Sequence, residues 1–175
     1  MTNLYDLDPG PESPEVIRMI VEIPKNSANK YEYDGNLGVF RLDRPLYSPL
    51  HYPGDYGFVP GTLADDGDPL DVLVLMDAPV YPGCIVPSRL IGVIEAEQTE
   101  EGETERNDRL LAVAANSAAH RSIRQLSDLS QDLVAQIEYF FVSYNEMKGK
   151  RFEVKRRAGS KRARALVMAA MKRRR

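Results

Sequence analysis

The chain has 175 residues, 43% of them hydrophobic and 28% charged, which is the composition of one folded domain of ordinary size and excludes wholesale disorder. One cysteine, Cys84, excludes a disulfide framework and a cysteine-rich zinc site, and two histidines, His51 and His120, exclude a multi-histidine metal centre. The net charge of -3 hides an asymmetry, because residues 148–175 carry +12 and residues 1–147 carry -15.

Residues 1–15 read as an N-terminal arm, with Pro11 and Pro14 opposing regular structure. The start lacks the basic stretch and apolar run of a secretory signal, and no apolar run approaches the ~20 residues that span a bilayer, so a cytoplasmic protein without membrane contact is expected. Val16–Ile23 alternates apolar residues at Ile17, Met19, Val21 and Ile23, a strand that Pro24 stops. Lys30–Tyr33 predicts a second strand, Asp34-Gly35 a tight turn, and Gly38–Leu42 the return. From Pro45 to Gly61 the sequence reads as a long loop of Pro, Tyr and Gly, a length that usually carries function.

Val72–Met76 is apolar throughout and reads as a buried strand; Arg89–Glu95 and Leu110–Ala114 are further strands, with an acidic hairpin loop around Gly102 between them. The period then changes. Ser130 predicts an N-cap, and Leu133, Ile137, Phe140, Phe141 and Tyr144 form a helical stripe. Arg151–Val154 is expected to close the sheet, and Ser160 to cap a last helix over Lys161–Met171 in a basic C-terminal segment, 156–175. These elements predict a single α+β domain over 1–175, mainly β: a small closed barrel with flanking helices. The basic segment reads either as a nucleic-acid or acidic-partner surface, or as a tail that neutralises the acidic body.

The sharpest chemical signal is Asp65-Asp66-Gly67-Asp68-Pro69-Leu70-Asp71. Gly67 permits a sharp turn, Pro69 fixes the next step, and Asp71 enters a buried strand. Two carboxylates about 5 Å apart repel by roughly 3 kcal/mol at an effective dielectric near 20. Such a cluster calls for protonation, basic partners or a hard divalent cation. Asp-rich turns also occur without metal, and the spacing is not that of an EF-hand. Glu22, Lys30, Glu32 and Arg44 lie on or beside the early strands, and Tyr52-Pro53-Gly54-Asp55-Tyr56-Gly57 forms an aromatic loop. Carboxylates, cations and phenols together suit a metal-bound phosphate substrate.

These stretches, with Val21-Glu22-Ile23-Pro24, Lys30-Tyr31-Glu32, Asp43-Arg44 and above all Asp66-Gly67-Asp68-Pro69-Leu70-Asp71-Val72, resemble the soluble family I inorganic pyrophosphatases over residues 16–154. The resemblance implies an OB-like five-stranded barrel that hydrolyses pyrophosphate to two phosphates with several Mg²⁺ ions, Mn²⁺ being the alternative. It implies that Asp66 and Asp71 ligate metal, that Asp68 is the general base or holds the attacking water, and that Lys30, Arg44, Tyr56 and Tyr144 bind phosphate oxygens. Glu22 and Glu32 belong to the metal surroundings and Tyr52 is a supporting hydrogen-bonding group. A homo-oligomer, commonly a hexamer, is the family's usual assembly.

The chain departs from the family at the acidic hairpin. Anchoring on Leu110-Leu111-Ala112-Val113 puts Arg109 at a phosphate lysine and Asn107 at a metal aspartate. Asp108 is the neighbouring metal candidate, although a one-residue shift turns a strand side chain to the other face. Glu100 stands in for the first hairpin aspartate, and Asn145 takes the place of a lysine after Tyr144. Two alternatives follow: a catalytically weak or inactive relative that binds a phosphate ligand or protein partner, and, more remotely, a barrel-type nucleic-acid module. The -15 body argues against the latter, and no nucleic-acid partner is expected.

Overall fold

The computed structural model describes residues 3–174. The first two residues of the expected arm and the last of the basic segment lie outside them. The strands are β1 (Val16–Ile23), β2 (Asn29–Asp34), β3 (Val39–Pro45), β4 (Asp55–Val59), β5 (Leu70–Leu75), β6 (Ile85–Glu100), β7 (Glu103–Arg106), β8 (Arg109–Ala114) and β9 (Arg151–Gly159); the helices are α1 (Gln131–Glu146) and α2 (Ser160–Arg174). Pairings run β1–β4–β5–β8–β6 and return from β6 to β1, a ring of five strands. β5 and β8 are parallel, joined across the β6–β7 hairpin; β9 adds to the outer length of β6, and β2–β3 is a separate hairpin.

The alternation in β1 does what the sequence predicts: Ile17, Met19, Val21 and Ile23 are buried. Two apolar clusters fill the fold. One seats Val134, Ile137, Phe140 and Phe141 of α1 against Ile23, Leu73, Ile91 and Leu111. The other seats Ala163, Val167 and Ala170 of α2 against Val72, Val74, Leu90 and Leu110. The Ser130 hydroxyl caps α1 by accepting from the Leu133 amide at 3.2 Å. At α2 the expected cap is different: Gln125 accepts from the Ser160 amide at 3.1 Å and donates to its hydroxyl at 2.7 Å.

Three expectations are corrected. The Pro45–Gly61 stretch contains β4, whose five residues are all buried and so show no alternation. β6 runs on to Glu100, so the acidic hairpin is paired strand to its tip, where Glu101 and Gly102 both take positive φ (50° and 86°) as a tight hairpin turn requires. The N-terminal arm is not irregular throughout: Leu4–Asp6 makes a 3-10 turn, and Tyr5 packs on Tyr33 and Phe58 while donating to the Tyr33 carbonyl at 2.7 Å.

Several arginines of the basic C-terminus pair with acids of the body. Glu95 receives Arg106, Arg156 and Arg162; Arg157 pairs with Glu138 at 2.7 Å, Arg173 with Asp65 at 3.0 Å, and Arg174 with Asp6. No helix among the described residues is long and apolar enough to cross a membrane.

Candidate active site

A cavity of about 440 Å³ opens at one end of the ring, walled by β1, β2, β4, the start of β5, the β6–β7 hairpin and the end of α1. It collects Asp66, Asp68, Asp71, Glu22, Lys30, Glu32, Tyr52, Tyr56, Arg109 and Tyr144. Of the residues given a site role in the sequence, Arg44, Asp108 and Glu100 do not line it.

Two strand irregularities aim the early residues. The β1–β4 register slips between Val21 and Ile23, leaving Glu22 as the extra residue of a bulge. Glu22 accepts from the Tyr33 amide at 2.8 Å, and burial, with Asp71 nearby, pushes its carboxyl up to about 7. The β2–β3 register slips likewise, Lys30 opposing Arg44 and Tyr31 opposing Leu42, so Asp43 is the extra residue. Its carboxylate ties Lys30 at 3.1 Å to Arg44 at 2.8 Å, holding Arg44 beside Lys30 at the rim. Lys30 also pairs with Glu32.

The aspartate string is a pinned loop. Thr62 donates to the Val59 carbonyl at 2.6 Å and accepts from the Leu70 amide at 3.0 Å. Asp66 accepts from the Asp68 amide at 3.1 Å, with Gly67 at φ 89° between them. From outside, α2 holds the loop: the Leu63 amide donates to the Ala170 carbonyl at 3.1 Å, and Arg173 donates to the Leu63 carbonyl at 3.2 Å. Burial, and for Asp68 the charges of Asp66 and Asp71, raise the carboxyls of Asp66 and Asp68 above the usual range.

Asp71 pairs with Arg109 at 2.7 Å. The Arg109 guanidinium is buried over Phe141 and Phe152, each centroid 5.4 Å away, and donates to Asn107. Strand alternation sends Asn107 and Arg109 to the cavity and Asp108 away from it. Asp108 instead accepts from Arg106 at 2.7 Å and from the Ala96 amide at 3.1 Å, so its expected metal role finds no support in its position. Glu100 is likewise displaced: it pairs with Lys150 at 2.6 Å near the hairpin tip, and Gln98 is the residue of that strand at the cavity. Asn107 donates to Gln98 at 3.0 Å, so this wall is an amide pair with Glu105 beside it.

Sequence reasoning missed Gln98, Glu105, Lys148 and Lys150 as lining residues. The period-two face of β6 was the available signal for Gln98; the other three arrive through the hairpin's length and the turn after α1. Asn145 is buried and donates to the Phe141 carbonyl at 2.8 Å. Cys84, His51 and His120 stand outside the cavity.

The donors that face the cavity are hard oxygens carrying more negative charge than their basic neighbours offset at the Asp66–Asp71 end, which suits a hard divalent cation in kind. They surround the space rather than meet at a point: among the described residues no three acidic, imidazole or thiol groups form a ready-made cage.

Comparison with known proteins gives one answer. Residues 19–175 match the family model described as inorganic pyrophosphatase. The inorganic pyrophosphatase of Thermus thermophilus is 40% identical over 151 residues, covering 86% of this chain and 84% of that one. That of a Nostoc species is 43% identical over 142 residues, covering 81% and 82%. A crystal structure of the Thermus thermophilus inorganic pyrophosphatase superposes with a TM-score of 0.93 at 39% identity, covering 99% of both chains.

Proposed function

This chain belongs to the inorganic pyrophosphatase family, and on that premise we propose how its residues carry out the hydrolysis of pyrophosphate. Asp66, Asp71 and Glu22 hold the divalent cation, which is Mg²⁺, with Mn²⁺ as a substitute. When bound, such an ion neutralises phosphate oxygens and makes water more acidic. Asp68 takes a proton from the attacking water; the water oxygen bonds to one phosphorus, the bridging P–O bond breaks, and the second phosphate leaves with the electron pair. Asp68 lies in the cavity beside Asp66 and Asp71, within the stretch that would place it next to a water on the cation.

Lys30, Arg44 and Arg109 neutralise the phosphates, and the hydroxyls of Tyr56 and Tyr144 orient them. Phosphoryl transfer asks mostly for alignment and charge compensation, and this set supplies both. The Tyr144 hydroxyl is buried and makes no hydrogen bond among the described residues, a donor free for a ligand. Arg109, held 2.7 Å from Asp71, would offer its remaining guanidinium donors to a phosphate oxygen. Glu32 and Tyr52 support Lys30 and Tyr144: Glu32 pairs with the lysine, and the Tyr52 ring lies 6.3 Å from that of Tyr144.

The observation that carries this reading is the single cavity in which Glu22, Asp66, Asp68 and Asp71 face Lys30 and Arg109. Phosphate release from pyrophosphate, measured with Mg²⁺, with Mn²⁺ and with neither, tests it. Fast release that chelation abolishes is the expected result; metal-independent release would refute the metal assignment. We place the protein in the cytoplasm as a homo-oligomer, with six subunits as in the family. Exposed Leu42, Tyr47, Tyr81 and Tyr139 offer apolar surface for such contacts, and sedimentation as a monomer would refute the assembly.

A further inference from the structure

Four cations line the cavity, and three of them already have carboxylate partners there or at its edge: Lys30 with Glu32 and Asp43, Arg109 with Asp71, and Lys150 with Glu100. Lys148 has no carboxylate within 4 Å among the described residues. The turn that ends α1 brings it there. The Lys148 amide donates to the Asn145 carbonyl at 2.9 Å, Gly149 takes φ 73°, and the Lys150 amide returns to the same carbonyl at 3.0 Å. The ammonium then lies 4.9 Å from the ring centroid of Tyr144, whose buried hydroxyl has no hydrogen-bond partner among the described residues.

Its surroundings are positive. Burial, then Arg44, Lys30 and Lys150, push the ammonium down to about 8. A half-buried cation held among other cations, with Asp43 as the one weaker opposing charge and no carboxylate in contact among the described residues, marks a place where an anion is favourable. Asn145, one turn earlier, brings no charge, and its amide donor is spent on the Phe141 carbonyl.

We infer that Lys148 is a phosphate-binding residue of this enzyme, holding the end of pyrophosphate that lies against the C-terminus of α1 and the phosphate product left there. The inference rests on the reading of this cavity as the hydrolytic site. Lys148 and the Tyr144 hydroxyl act on the same phosphate, the ammonium supplying charge and the phenol direction.

The test compares Lys148→Gln and Lys148→Arg with the parent in kcat, KM for pyrophosphate, and the inhibition constant of inorganic phosphate, with phosphate binding also measured by calorimetry. Loss of one charge-assisted contact predicts about a tenfold rise in KM and in the phosphate inhibition constant for Lys148→Gln, with a smaller change in kcat. Lys148→Arg keeps the charge and is expected to stay within about threefold of the parent. A Lys148→Gln variant with the parent's KM and phosphate inhibition constant would overturn the inference, whatever its kcat. If the parent released no phosphate from pyrophosphate, the hydrolytic reading would fail. Calorimetry would then still decide Lys148, since equal phosphate affinity in parent and Lys148→Gln, or no affinity in either, overturns its role.

Discussion

Asp71 has two claimants, the Arg109 guanidinium at 2.7 Å and the proposed cation. Asp68 has no such rival: its neighbours are Asp66 and Asp71, and their charge raises its affinity for a proton beyond what burial alone does. Asp68→Asn keeps the size and removes the base, so kcat is expected to fall by about 10²- to 10⁴-fold with an unchanged circular dichroism spectrum. Turnover near the parent's would remove Asp68 from its proposed role. The aspartate string was legible in sequence because its chemistry is local, four acids in seven residues. Gln98 and Lys148 were not, because their places depend on where β6 ends and how the chain turns after α1. Asp108 was misassigned as a metal candidate: the alternation of the strand turns it toward Arg106, away from the cavity.

At the scale of elements, two features hold the ring in shape. Where β4 crosses β1, a Cβ on Gly57 would overlap the Ile20 carbonyl oxygen, a backbone atom that cannot swing aside. Gly57→Ala is expected to destabilise by about 2 kcal/mol or more, read as a drop in Tm, since overpacking between paired strands forces the backbone apart. The second feature is Glu95 on β6, which draws together Arg106, Arg156 and Arg162 from β7, β9 and α2. Desolvation raises its carboxyl, but the arginines outweigh it and hold the group down to about 2. Its folded value lies below its unfolded one, so its stabilisation is present above pH ~4.5 and is lost as pH falls toward 2. Glu95→Gln is therefore expected to lower Tm at pH 7 and to flatten its fall between pH 5 and 2; thermal scans across that range check both. Helix α1 and strand β1 were readable from periodicity. Strand β4 was not, because a segment buried on both faces has no polar alternation to betray it, and its Pro and Gly flanks imitate a loop.

At the scale of the whole molecule, charge is arranged so that opposite ends of the sequence meet. The +12 segment lies on the acidic body as β9 and α2, with Arg174 reaching Asp6 and Arg173 reaching Asp65. Part of the charge asymmetry is thus met by ion pairs within the chain. The arrangement also couples α2 to the aspartate loop through Leu63, Ala170 and Arg173. Arg173→Ala is expected to speed amide hydrogen exchange over residues 63–68 while leaving β5 and β8 protected, with a severalfold loss in kcat/KM. Unchanged exchange in that loop would show that the Ala170 contact alone suffices.

The same tether sets an order in time. A growing chain emerges from its N-terminus onward, and early parts fold before late parts exist. Every strand of the ring, and the aspartate loop between β4 and β5, precedes residues 160–174. A nascent chain stalled before α2 thus carries every side chain proposed for catalysis, yet the loop bearing Asp66 and Asp68 still lacks its outer clamp. Enzymatic competence on the ribosome is expected to lag behind assembly of the β ring by the emergence of that one helix.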